Sequence, residues 1–190
     1  YFLRSGTSWD GPHTLTESTV TANDNFGSAV AIDGNTLVVG ASGGNKAYVY
    51  NWEYWGCGSS CGHNGGGWVR KATLQEGTAT GLLGGADVSI DGDLIAVADE
   101  AWSNGCTFYC YQQGRVHLYY RNISGAWNLD ATLTRPSGST WEYFGRSVSL
   151  SGDRVAIGVP GYDHGAISWV GATYVFQRDS NDYSSASTWT

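Results

Sequence analysis

The sequence predicts an all-β protein assembled from stacked four-stranded antiparallel sheets, and three observations carry that expectation. Of 190 residues, 28 are Gly and only 3 Pro, while aromatic and charged residues each make up 14%. That mixture is too rich in Gly and Trp for a helical bundle and too rich in buriable rings for a disordered acidic chain. Trp9, Trp68, Trp127 and Trp189 recur about every 60 residues, which marks an internal repeat. Within each period an Asp-Gly or Ser-Gly pair separates two short apolar runs, the pattern of strands joined by tight turns.

Each unit can be followed along the chain. An aromatic or Leu next to Gly opens it: Phe26-Gly27, Leu83-Gly84 and Phe144-Gly145. Phe26, Val30 and Ile32 fall on alternate positions and so share one face of a first strand. The turns Ile32-Asp33-Gly34, Ile90-Asp91-Gly92 and Leu150-Ser151-Gly152 come next. A second strand follows each: Leu37-Val-Val-Gly-Ala41, Ile95-Ala-Val-Ala-Asp99 and Val155-Ala-Ile-Gly-Val159. The third strand is aromatic: Ala47-Tyr-Val-Tyr50, Val116-His-Leu-Tyr-Tyr120 and Thr173-Tyr-Val-Phe176. The fourth reads Trp68-Val-Arg-Lys-Ala-Thr-Leu74 and Trp127-Asn-Leu-Asp-Ala-Thr-Leu133, with a looser version from Trp9 to Leu15. A sheet of about 50 residues cannot bury both faces alone, so the units must stack on one another, as in a solenoid or propeller. The aromatics are expected to be the packing between sheets.

The runs Phe26-Gly27 through Gly40-Ala41-Ser42 and Phe144-Gly145 through Gly158-Val159-Pro160 resemble FG-GAP repeats. The resemblance implies β-propeller blades, three of them plus part-blades, spanning nearly the whole chain. On that reading residues 1–190 form one propeller segment. The repeats cover approximately 18–75, 76–134 and 135–190, and residues 1–17 are the end strands of a preceding blade. Phe2-Leu3-Arg4 aligns with Phe176-Gln177-Arg178, and Ser187-Thr188-Trp189 begins an outer strand. The chain therefore reads as a segment of a longer protein, or as an arc completed by another copy. FG-GAP repeats of the integrin type often carry a D-x-D-x-D-G calcium loop. Here that stretch is cut to Ile32-Asp33-Gly34-Asn35 or Ile90-Asp91-Gly92-Asp93, which offers too few oxygens for the 6–8 ligands calcium prefers. No cofactor is expected.

Charge and cysteines bound the setting. A net charge of -7 without a Lys/Arg cluster argues against nucleic acid, and no apolar run approaches the ~20 residues of a membrane span. Cys57 and Cys61, and Cys106 and Cys110, sit in two loop insertions. Bridges within each pair are the preferred reading. A bridge between the loops remains open, as does a four-thiolate zinc site, although zinc more often uses a two-residue gap. Asn122-Ile123-Ser124 is an N-glycosylation sequon. Together these favour a secreted or cell-surface protein.

Candidate chemistry is sparse. No G-x-S-x-G elbow, H-E-x-x-H helix or phosphate loop is present, so no catalytic residues are assigned and an enzyme is not expected. His117 takes the place of Tyr48 and Tyr174 and reads as a structural variant. Asp99-Glu100 replaces Ala41-Ser42 and Val159-Pro160, with Asp87 near the positions of Ala29 and Ser147. These three carboxylates are weak candidates for a cation or sugar site, and could equally pair with Arg115 or Arg121. Tyr54, Trp55, Trp102 and Tyr109, on the insertions, are candidates for stacking against sugar rings. The function expected is a non-enzymatic extracellular structural or adhesive segment of a surface or filament-forming protein. Its partners would be other proteins, further copies or glycans, and a carbohydrate-binding module is the alternative.

Overall fold

The computed structural model describes residues 1–55, 66–75, 83–103, 112–135, 140–179 and 189–190. A short hairpin, β1 (Leu3–Ser5) and β2 (Ser8–Asp10), precedes three antiparallel meanders. The first sheet is β3 (Phe26–Asp33), β4 (Thr36–Ala41), β5 (Lys46–Tyr54) and β6 (Gly66–Gln75). The second is β7 (Val88–Asp91), β8 (Leu94–Asp99), β9 (Arg115–Arg121) and β10 (Trp127–Leu133). The third holds β11 (Ser147–Ser151), β12 (Arg154–Val159) and β13 (Ala172–Gln177). Beyond β13, Arg178 bridges Trp189 at the place where an outer strand begins.

Each first turn follows from its sequence. Asp33 pairs with Thr36, Asp91 with Leu94 and Ser151 with Arg154, so only two residues cross from strand to strand. The first crossing residue is Gly34, Gly92 or Gly152, with φ between 51° and 57°. A side chain there would be strained, which is why glycine stands at this place in all three units.

Alternation sorts each sheet into two faces. The leading face of the first sheet (Val38, Ala47, Val49, Leu74) meets the trailing face of the second (Val88, Ile95, Val97, Tyr119) in one apolar cluster. The leading face of the second (Leu94, Ala96, Ala98, Val116, Leu118) meets the trailing face of the third (Phe144, Val148, Leu150, Val155, Ile157) in another. Small residues on leading faces receive large ones from trailing faces, so packing is directional. Phe144 is fully buried there, its ring 6.0 Å from Tyr174 and 6.3 Å from Phe176.

A polar ladder runs along the same seam. Residues 87, 89 and 91 alternate to one side of β7, and each accepts a backbone N–H from β11. Val148 donates to Asp87 Oδ2 (2.9 Å), Leu150 to Ser89 Oγ (3.0 Å) and Gly152 to Asp91 Oδ2 (2.6 Å). Between the first two sheets only the last rung exists, from Gly92 to Asp33 Oδ2 at 2.7 Å. Ala29 and Ala31 stand where Asp87 and Ser89 would accept, and alanine has no acceptor to offer.

The trailing face of the first sheet breaks the pattern. Val148 and Leu150 are 7% and 8% exposed, and burying such side chains stabilises a fold by roughly 1.5–3 kcal/mol each. Their counterparts Val30 and Ile32 are 64% and 62% exposed. Only the outer part of this face is covered. Leu15 joins Tyr48, Tyr50 and Trp68 in a third cluster, and the Tyr1 ring lies edge-on to Trp52 and Trp68. Between the two parts lies a cavity of about 460 Å³ lined by Tyr1, Leu15, Phe26, Val30 and Leu37 among others. The expectation that the repeated tryptophans all pack between sheets fails at Trp9, which is 66% exposed because no neighbouring sheet stands over β2.

Candidate functional site

The three carboxylates proposed as a cation or sugar site are each engaged in holding strands. Asp87 accepts the amides of Val88 (2.9 Å) and Val148 and so forms part of the ladder. Asp99 is fully buried at the end of β8, and its Oδ2 accepts from Arg115 Nε at 3.1 Å and Nη2 at 3.0 Å. The Arg115 guanidinium lies 5.0 Å from the centre of the Trp102 ring. Glu100 takes Arg146 Nη1 on both oxygens, at 2.8 and 2.9 Å, across the seam to the third sheet. Of the two arginines considered as partners, Arg115 binds Asp99, while Arg121 binds Asp93 and lies over Trp127. Among the described residues no group of three or more His, Cys, Asp or Glu is arranged to hold a metal.

The aromatic candidates do not form one surface. Tyr54 and Trp55, 72% and 61% exposed, leave the far end of β5, on the side where third strands run into fourth strands. Trp102 follows β8, on the side where second strands run into third strands, and successive connections of a meander leave from opposite ends. Trp102 is also half-buried beneath Arg115. Tyr109, Cys57, Cys61, Cys106 and Cys110 lie outside the described residues. Asn122 opens a surface turn between β9 and β10. Its Oδ1 accepts from Ser124 N (3.0 Å), Ser124 Oγ (2.7 Å) and Ala126 N (2.9 Å). Its amide nitrogen is the atom to which a glycan would be joined.

Two polar networks escaped the sequence reading. Glu17 is buried and receives Tyr50 Oη at 2.7 Å, Thr19 Oγ1 at 2.9 Å and Arg70 Nη1 at 2.8 Å. Burial pushes its carboxyl up, but those hydrogen bonds and the arginine more than offset this and hold it below the usual range. Burial and then Glu17 push the Tyr50 phenol well up. At the other end, Asp130 of β10 accepts from Trp189 Nε1 at 3.1 Å and Arg178 Nη2 at 3.4 Å, joining the end of the third sheet to the outer strand of the second.

A cluster of rings, with Trp141 and Trp169 exposed and Tyr143 half-buried between them, was missed as well. Trp141, Tyr143 and Trp169 all have positive φ (67°, 57° and 59°), and their rings stand 6.4 Å and 6.0 Å apart in sequence order. Trp141 and Tyr143 flank Glu142 as Asn23 and Asn25 flank Asp24, at φ 71° and 53°. The backbone role is the same, since the carbonyls of Asp24 and Glu142 each accept a glycine amide, of Gly43 and Gly161, at 3.1 Å. Asparagine tolerates this conformation and bulky rings do not. The signal was available as Asn-Asp-Asn against Trp-Glu-Tyr immediately before Phe-Gly.

His117 occupies the slot of Tyr48 and Tyr174 in β9, fully buried, with Nδ1 3.0 Å from Thr132 Oγ1. Burial first, and Arg115 second, hold its pKa down at about 4, against an ordinary value of 6.5. The ring is therefore neutral in the fold, while the unfolded chain takes up a proton as pH falls through 6.5. Stability is full above that pH, declines toward pH 4 and loses no more from this group below it. From pH 7 to pH 5 we expect a loss of about 2 kcal/mol in unfolding free energy, by urea titration. His117→Tyr should remove that part of the slope, and an unchanged slope would exclude His117 as its source.

Residues 9–50 and 127–176 match the FG-GAP repeat family. No curated protein matches the chain. Two of its repeats are thus FG-GAP repeats, and its meanders, stacked face to face, are β-propeller blades.

Proposed function

We propose that the chain is a non-enzymatic structural or adhesive propeller segment of an extracellular protein, working within a larger surface or filamentous assembly. One observation supports this best. The polar chemistry of the seams is spent on joining blades, while the trailing face of the first blade and the leading face of the third are open. Cysteines in two insertions and a surface sequon at Asn122 fit an oxidising compartment. The extracellular placement is tested on intact cells that make the protein, using a membrane-impermeant amine reagent aimed at Lys46 and Lys71. Recovery of the labelled chain is expected, and labelling only after lysis would exclude the placement.

A second reading, binding to carbohydrate, draws support from the exposed Tyr54 and Trp55 and from the ring cluster of Trp141, Tyr143 and Trp169. Planar rings with open faces suit stacking against sugars. Retention on a glycan array, lost in Trp55→Ala or Trp169→Ala, is the expected result. Silence across the array would leave the structural reading alone.

A further inference from the structure

We propose that two copies of this chain join head to tail, the leading face of the third blade of one seating on the trailing face of the first blade of the other. This rests on the structural reading above and names its partner. The repeat itself specifies what covers Val30 and Ile32. At the corresponding positions Val148 and Leu150 are closed by a leading face whose inner strand presents Asp87, Ser89 and Asp91 to the amides of 148, 150 and 152. In the third blade those three acceptor positions are Ser147, Ser149 and Ser151, all exposed. Serine at such a position is interface chemistry in this fold, because Ser89 Oγ accepts the Leu150 amide at 3.0 Å. The small residues Ala156 and Gly158 stand where Ala96 and Ala98 receive the next blade, and Val175, at the place of Leu118, is 61% exposed. The amides of Val30, Ile32 and Gly34 occupy the places of the ladder donors in β11.

The hairpin β1–β2 covers the same ground as the end of β13 and Trp189, so it gives way on docking. Its rings are loosely held: Phe2 is 55% and Trp9 66% exposed, against 9% for Trp189. Such a contact is heterologous, so copies close into a ring or extend as a filament.

The test is sedimentation of the 190-residue chain at up to about 100 µM, where an interface with a Kd of ~10 µM is mostly occupied. Particles of two or more copies of the 20.3 kDa chain are expected. Val30→Asp with Ile32→Asp blocks the trailing face, and Ser149→Arg with Val175→Arg blocks the leading face. Because these side chains are exposed in the single chain, both variants should keep its circular dichroism and melting point. Each alone should sediment as a monomer, and a mixture of the two should give a dimer through the one remaining good pair of faces. Amide exchange at 30, 32 and 34 should slow at least tenfold between dilute and concentrated wild type. A monomeric wild type, variants that still associate alone, or a mixture that fails to pair would each overturn the proposal. A chain that is monomeric yet labelled on intact cells removes this interface and leaves the structural reading standing. Association in a chain labelled only after lysis does the reverse.

Discussion

Asp99→Val is expected to lower the unfolding free energy by roughly 3–5 kcal/mol, read as a fall in the urea midpoint at pH 7. The position looks apolar from its neighbours in the repeat: Ala41 and Val159 occupy it in the other blades, each buried. In the second blade the same slot holds a fully buried carboxylate bonded twice to Arg115, itself only 6% exposed. Removing the carboxylate leaves a guanidinium away from water, and that desolvation is the main cost. The paired change, Asp99→Val with Arg115→Leu, replaces the ion pair by apolar groups of similar reach and should recover much of the loss. A single variant within about 1 kcal/mol of wild type would mean the pair contributes little.

That exception shows how far a sequence of this kind can be read. The meander order, the two-residue turns and the apolar faces were legible, because a repeated pattern tests each assignment three times over. Turn glycines and alternating strands depend on local backbone geometry, which the residues themselves carry. Partners across a seam were not legible. Asp87, Asp99 and Glu100 stood out as departures from the repeat, but whether a carboxylate meets a cation, an amide or an arginine depends on residues as much as 61 positions away. Asp87 meets the amide of Val148, and Glu100 meets Arg146, both on the next blade. The ring cluster was missed for a related reason. Trp141 and Tyr143 read as ordinary loop aromatics until their left-handed backbone is matched with that of Asn23 and Asn25.

The same logic makes the passage between the second and third blades a sensitive place for a single methyl group. Gly114 has φ +81°, donates its amide to the Trp102 carbonyl at 3.0 Å and forms a parallel bridge with Phe144. A Cβ on Gly114 would lie 2.0 Å from the Phe144 carbonyl oxygen and 2.7 Å from its nitrogen, so the backbone itself would have to move. Phe144 cannot move alone, since it is fully buried in the cluster joining the blades. Left-handed strain and overpacking each cost about 1–3 kcal/mol, so Gly114→Ala should lose roughly 4 kcal/mol. Gly125→Ala is the control: its φ is +83°, but a Cβ there meets nothing within 4 Å. It should lose only the conformational share, about 1–2 kcal/mol. Hydrogen exchange separates the two further. The amides of Val148, Leu150 and Gly152 bond to the second blade, so they should lose protection in Gly114→Ala and keep it in Gly125→Ala. Equal destabilisation by the two changes, with the ladder amides equally protected, would mean that the close approach of Gly114 to Phe144 does not hold the third blade in place.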